Sequence, residues 1–232
     1  IWPRKARILF ICAAPAGMTV PYAPHLQGLL KAIQPWLRQT PADGDAYFDG
    51  VDQHLTVLER ASIQDIYAAC SGGEFTHVHI LAHGAKDHSA PGTPCGLALH
   101  RDGKKNEKHV VSGKQLAAAL QGGPAGTGPS IVTLATCDSG HVGDVVHTGA
   151  SVADDLHREQ IPFVVGSQFP LTFDGSKALV DYLYPALLNG EDPRVALREL
   201  RSVLYSHLAG TSHDWASVVA YAAFPPDLEE QL

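Results

Sequence analysis

At 232 residues the chain is long enough for one large domain or two small ones, and its 45% hydrophobic and 18% charged residues are ordinary for a globular protein with a sizeable core. The formal net charge of −7 excludes a general nucleic-acid surface, which needs clustered Lys and Arg facing phosphates. No secretory signal is visible and no apolar run approaches the ~20 residues of a bilayer span, so neither nucleic acid nor membrane is an expected partner. The four cysteines, Cys12, Cys70, Cys95 and Cys137, form no C-x-x-C pair and no dense framework. That argues against a disulfide scaffold and for a reducing, cytoplasmic setting. The chain opens on Ile1 and holds one methionine, Met18, so a domain excised from a longer protein is expected.

The first apolar run is RILFIC (7–12). Leu26, Leu29, Leu30, Ile33 and Leu37 then follow the spacing of one helix face, with Pro35 expected to kink that helix. TPADGDAYFDGVD (40–52) reads as a polar loop. HLTVLE (54–59) and HVHILA (77–82) are the next two strands. GLALHRDGKKNEKHVV, within 86–111, predicts a β-hairpin inserted after the third strand, and the basic run from Arg101 to Lys108 is its solvated turn. Ser112 and Gln115 have capping-box spacing, and Gly122 closes that helix. IVTLAT (131–136) is the fourth strand, SVADDLHREQ a helix opened by Ser151, and PFVVGS (162–167) the fifth strand. A further helix, preceded by Ser176, runs to Asn189–Gly190. Asp192 and Pro193 then cap and start a last helix with Leu197, Leu200, Leu204 and Leu208 on one face, before the strand SVVAYAA (217–223). Such apolar strands alternating with helices predict an α/β fold in one domain over 1–232. Its sheet is mostly parallel, of about six strands, with helices on both faces, and ligands bind such sheets at the carboxyl edge.

A lone cysteine at a strand end is by default a small hydrophobe. Cys137 differs because it follows IVTLAT at once and precedes Asp138, Ser139 and Gly140, a polar turn that presents the thiol at the sheet's carboxyl edge. Cys12 also ends a strand, but Ala13, Ala14 and Pro15 offer nothing to activate it. His83 ends the third strand and Gly84 follows, so both strand ends face one crevice. A thiol of pKa about 8.5 needs a neighbouring imidazole to take its proton, and the same imidazole can protonate a leaving amine. Gly84 lets a backbone N–H approach a developing oxyanion without a Cβ in the way, with the Cys137 N–H as second donor.

The main rival is a metal site. HVHILAHGAKDH partly resembles the H-x-H-x-D-H box of metallo-β-lactamase-like hydrolases, but His79 and Asp87 are eight residues apart instead of two. No Cys or carboxylate is placed to complete a shell around His77 and His79, which read as partly buried strand histidines, so no metal or cofactor is expected. His88, His141 and His147 read as loop residues, with His141 near the cysteine. A serine hydrolase lacks its G-x-S-x-G elbow, and ICAAPAG lacks the G-x-G-x-x-G of a dinucleotide site.

RILFICAAPAG with the helix around His25 to Ile33, THVHILAHG, and IVTLATCDSGHVGD resemble, in that order, the opening, histidine box and cysteine box of CHAT domains. These are prokaryotic caspase-like domains related to caspases, separases and legumain-type enzymes. The helix–strand–helix order from Gly149 onward and the closing HDWASVVAYA extend the resemblance over about residues 6 to 224. The spacing between dyad members, 137 − 83 = 54 residues, matches the roughly 50 of caspases, with T-C-D-S-G in place of their Q-A-C-[RQG]-G box. The resemblance implies a caspase-like three-layer fold and a cysteine endopeptidase with a His83–Cys137 dyad. It also implies a protein substrate and control by a sensor domain or partner protein, as in antiviral defence systems.

The family's Trp-Pro pair followed by acidic residues reads FPLTFD here, so Phe169 stands for the tryptophan, and Thr172 and Phe173 stand where acids are common. Ala135 replaces the caspase glutamine two residues before the cysteine, and GSQFPLT, which includes Gln168, holds no arginine, so an aspartate-selective pocket is not expected. Asp138 or Asp174 would favour a basic side chain at the cut, whereas Phe169 and Phe173 would favour an apolar one. The alternative to an enzyme is a catalytically silent caspase-like module that binds or signals.

Overall fold

In a computed structural model of the chain, the described residues are 6–15, 17–40, 47–86, 95–122, 128–136, 148–208, 210–224 and 226. The six predicted strands appear as β1 (Ile8–Cys12), β4 (Leu55–Leu58), β5 (His77–Lys86), β8 (Ile131–Thr136), β9 (Phe163–Ser167) and β10 (Val218–Ala222). They lie in the order β10-β9-β8-β5-β1-β4, parallel except for β10, which runs antiparallel to β9. The predicted hairpin, β6 (Cys95–Arg101) and β7 (Lys104–Val111), joins through β6 to β5 and completes an eight-stranded sheet. Gly103 makes the tight hairpin turn possible by taking φ 68°, a left-handed conformation that costs glycine little.

Both sheet faces are covered, and β1 shows why its run is continuously apolar. Ile8, Phe10 and Cys12 enter one core, while Leu9 and Ile11 enter the other. The first core is closed by α1 (Tyr22–Ile33), α6 (Phe173–Ala178), α7 (Tyr184–Leu188) and α8 (Pro193–Leu208). The second is closed by α3 (Ile63–Gly72), α4 (Gly113–Leu120) and α5 (Thr148–Arg158). This three-layer α/β arrangement is the caspase-like fold expected from the sequence. Among the described residues, no helix is long and apolar enough to cross a membrane.

Several boundaries differ from expectation. Pro35 ends α1 instead of kinking it: a 3₁₀ turn, Gln34–Trp36, follows Ile33, because proline lacks the N–H that would continue the ladder. The stretch read as a polar loop holds β3 (Tyr47–Asp49), paired with β2 (Arg38–Thr40), and the start of α2 (Val51–His54). α3, which was not among the predicted helices, is fixed by a capping box between Ser62 and Asp65. Ser176 lies inside α6, whose N-cap is Thr172, and a π turn (Leu179–Leu183) joins α6 to α7. The Ser112–Gln115 capping box forms as predicted, at the start of α4.

The α1 face of the sheet carries imidazoles within its core. His77 and His79 are fully buried, so they are not the partly exposed strand residues expected from sequence. His25 of α1 lies 2.8 Å from His79 (Nδ1 to Nε2) and 3.2 Å from Ser176 (Nε2 to Oγ). Burial lowers the pKa of both His25 and His77 to about 4; around His25, Asp181 opposes the shift and Lys177 adds to it. His79 is driven well below its usual range, first by burial and then by His25.

Two predictions follow from this packing. A Cβ on Gly28 would meet Val180 Cγ2 at 2.6 Å where α1 crosses the π turn, so Gly28→Ala is expected to destabilise the fold by about 1–3 kcal/mol. Val180→Ala in the same chain should restore part of that loss in thermal melts. The buried histidines predict acid lability with a defined sign. Their folded-state pKa lies below the unfolded value of about 6.5, so stability is complete above that pH and is lost as pH falls toward 4. His25 and His77 should each remove on the order of 2 kcal/mol by pH 5. Urea unfolding at pH 7 and pH 5 measures this, and equal stabilities would contradict it.

Candidate active site

β5 changes partners at His83. Up to Ala82 it runs parallel to β8, ending on the pair Ala82↔Thr136; from His83 to Lys86 it pairs antiparallel with β6, beginning with His83↔Ala98. His83 is therefore held by β6 at the carboxyl edge of the parallel sheet, and it is 7% exposed. Its Nε2 lies 2.8 Å from the carbonyl oxygen of Thr19, in the segment between β1 and α1. A carbonyl only accepts, so Nε2 carries the hydrogen, and the lone pair of neutral His83 resides on Nδ1. Nδ1 is then the ring atom left to accept a proton. Gly84 is exposed, at the register position opposite Leu97.

Cys137 and Asp138 lie outside the described residues, as do Asp87, His88, His141 and His147. Gln168, Phe169, Phe173 and Asp174 are all described and exposed, and they gather just beyond the carboxyl end of β9. Phe169 and Phe173 expose 44% and 53% of their surfaces, which makes this an apolar ledge. The ledge is held by two side chains of α9 (Asp214–Ser217) that the sequence reading did not single out. Ser217 Oγ accepts from the Phe169 N–H and donates to the Phe169 carbonyl, each at 2.8 Å, while the Ser217 carbonyl accepts from the Gln168 N–H at 2.9 Å. Asp214, 2% exposed, accepts from the Thr172 N–H at 3.1 Å, from the Thr172 hydroxyl, and from the Ser212 hydroxyl at 2.9 Å. The available signal was HDWAS, an acid and a serine bracketing the entry to an apolar strand.

The remaining thiol at the edge is inert. Cys12 is buried, and burial, reinforced by the nearby Glu59 charge, pushes its pKa up to about 12, so roughly one molecule in 10⁵ is thiolate at pH 7. Cys12 borders a cleft of about 520 Å³ with Tyr22, Glu59, Arg60 and His100. Tyr22 donates to Glu59 at 2.5 Å and Arg60 to Asn106 at 2.8 Å, so its polar groups already serve one another. Among the described residues, no three His, Cys, Asp or Glu side chains are grouped to hold a metal.

A three-layer sheet presenting a carbonyl-oriented histidine at its carboxyl edge has the architecture of the caspase-like proteins. The chain belongs to the CHAT domain family, which matches residues 5–223 and is related to the caspase-like cysteine peptidases. A search of curated proteins finds no match.

The Asp214 clamp yields a stability prediction. Asp214→Ala leaves the Thr172 N–H and hydroxyl without their buried acceptor and should cost about 2–4 kcal/mol, whereas Asp214→Asn keeps one acceptor oxygen and should cost less. Chemical denaturation of the two variants checks the order.

Proposed function

We propose that the chain is a cysteine endopeptidase that cleaves a protein substrate through His83 and Cys137. The observation that carries this reading is the Ala82↔Thr136 register pair, because in the chain His83 follows Ala82 and Cys137 follows Thr136. A trans peptide fixes successive Cα atoms about 3.8 Å apart, so His83 and Cys137 are each one covalent step beyond that register pair. The family match supports the same chemistry.

In this mechanism His83 Nδ1 accepts the thiol proton of Cys137. The sulfur adds to the scissile carbonyl carbon, and the imidazolium returns the proton to the leaving amine as the C–N bond breaks. Water, deprotonated by the same imidazole, then hydrolyses the thioester. The N–H groups of Gly84 and Cys137 stabilise the oxyanion in both halves. Thr19 holds the imidazole by accepting from Nε2, and it favours the imidazolium as charge develops.

The ledge beyond β9 supports an apolar residue at the cut. Phe169 and Phe173 offer apolar surface there, and Gln168 is exposed at its rim. Asp138 and Asp174 are the acids that would instead select a basic side chain; Asp174 is exposed beside Phe173. The enzyme acts in the cytoplasm under a sensor domain or partner protein that gates it, as a defence or signalling peptidase would be. A silent binding module is the alternative, and the orientation of His83 favours the enzyme over it.

Cys137→Ala should abolish cleavage of a peptide library, a loss of at least about 10³-fold, without changing the melting temperature. His83→Ala should match it, and an electrophilic thiol probe should label Cys137 in the activated state. Cleavage that survives Cys137→Ala would falsify the assignment. If the ledge selects the substrate, Phe173→Ala should lower kcat/KM for apolar residues at the cut by about tenfold or more and leave thiol labelling unchanged.

A further inference from the structure

His79 on β5 and Thr133 on β8 are register partners, so their side chains stand next to one another on the α1 face of the sheet. The Tyr184 ring, at the start of α7 just after the π turn, closes over them edge-on, 5.3 Å from the His79 ring. All three residues are 0% exposed. His79 Nδ1, Thr133 Oγ1 and the Tyr184 hydroxyl make no hydrogen bond among the described residues. Thr133 lies within hydrogen-bonding reach of the Tyr184 hydroxyl and opposes the strong upward shift that burial imposes on the tyrosine, but the angles of that contact leave neither hydroxyl fully satisfied. Folds pair roughly nine in ten or more of their buried polar groups, so three unpaired groups on neighbouring residues require a partner.

The direction of the adjoining chain indicates what that partner must do. Ser176 Oγ donates to the Phe173 carbonyl at 2.9 Å, so its oxygen accepts from His25 Nε2–H at 3.2 Å. His25 Nδ1 is then an acceptor, and His79 Nε2, 2.8 Å away, is the N–H that donates to it. His79 Nδ1 is left with a lone pair and needs a donor, while Thr133 and Tyr184 can each donate or accept. One small molecule with two hydrogens and two lone pairs satisfies all three.

We propose that the space between β5, β8 and α7 binds one structural water molecule, which donates to His79 Nδ1 and bridges the hydroxyls of Thr133 and Tyr184. It terminates a hydrogen-bonded chain running through His79, His25 and Ser176 to the Phe173 carbonyl, and so ties the first turn of α6 to the centre of the sheet. A water of this kind has about three partners in a polar, enclosed setting, as internal waters do. The site does not depend on the peptidase reading.

A crystal structure of the chain at better than about 2 Å should show a solvent peak within hydrogen-bonding distance, about 2.6–3.2 Å, of all three atoms. Tyr184→Phe should keep the peak on two partners, and Thr133→Val with Tyr184→Phe should lose it. Nitrogen-15 NMR of the histidines should find His25 and His79 as Nε2–H tautomers at neutral pH. No peak in the unaltered chain, with the Thr133 and Tyr184 hydroxyls bonded directly to each other, overturns the proposal. So does an Nδ1–H tautomer at His79, which would leave no lone pair for the water to bond.

Discussion

A parallel strand buried on both faces has no freedom to slip. Moving β5 by one residue against β8 would carry Val78, Ile80 and Ala82 out of one core and push His77 and His79 into it, exchanging every contact on both sides of the sheet. The register that ends on Ala82 and Thr136 is therefore fixed by hydrophobic burial far from the edge, and the edge inherits it. Everything proposed for His83 depends on this inheritance. The strand end that delivers the imidazole is positioned by core packing, and only its final orientation is set locally, by the Thr19 carbonyl.

The hairpin adds a second constraint. Strands in such sheets normally turn away at their carboxyl ends, which leaves their last backbone groups to loops. β5 instead continues for four residues along β6, so the backbone that carries His83 and Gly84 is paired on its far side. β6 is in turn tied back to the sheet, because His100 Nε2 accepts from the Ala14 N–H at 3.2 Å and the His100 N–H donates to the Ala61 carbonyl at 3.0 Å. An edge built this way is braced on the β5 side. On the β9 side, α9 clamps the exposed ledge through Asp214 and Ser217.

The strands were legible because a sheet covered on both faces needs apolar residues without interruption, and each of the six runs contains its strand or begins it. His83 was read as the end of its strand, but β5 runs on to Lys86, because pairing with β6 takes over where pairing with β8 stops. The misses have physical causes as well. α3 buries only Ile66 and Cys70, so its periodicity is faint, and its start depends on a capping box with aspartate in place of the usual Glu or Gln. β2 and β3 are three residues each, too short for alternation to register. The π turn depends on tertiary contact, since Val180 packs where Gly28 of α1 leaves room for it. Asp214 and Ser217 were missed because their partners, Thr172 and Phe169, are more than forty residues away in the chain.

The buried imidazoles raise a question about why an apolar core carries them. His77 and His79 occupy inward positions on the central strand, where Val or Ile would pack without any polar demand. What the histidines supply that aliphatic residues could not is direction. His79 reaches His25, His25 reaches Ser176, and Ser176 reaches the Phe173 carbonyl, so a chain of polar contacts crosses from the sheet to the first turn of α6. α6 is six residues long and leads into a π turn, so it has little helical stability of its own to keep Phe173 in place. A hydrogen-bonded chain anchored on a central strand fixes that turn in a way that non-directional packing does not. The core thus gives up some stability in acid for a defined position of the ledge.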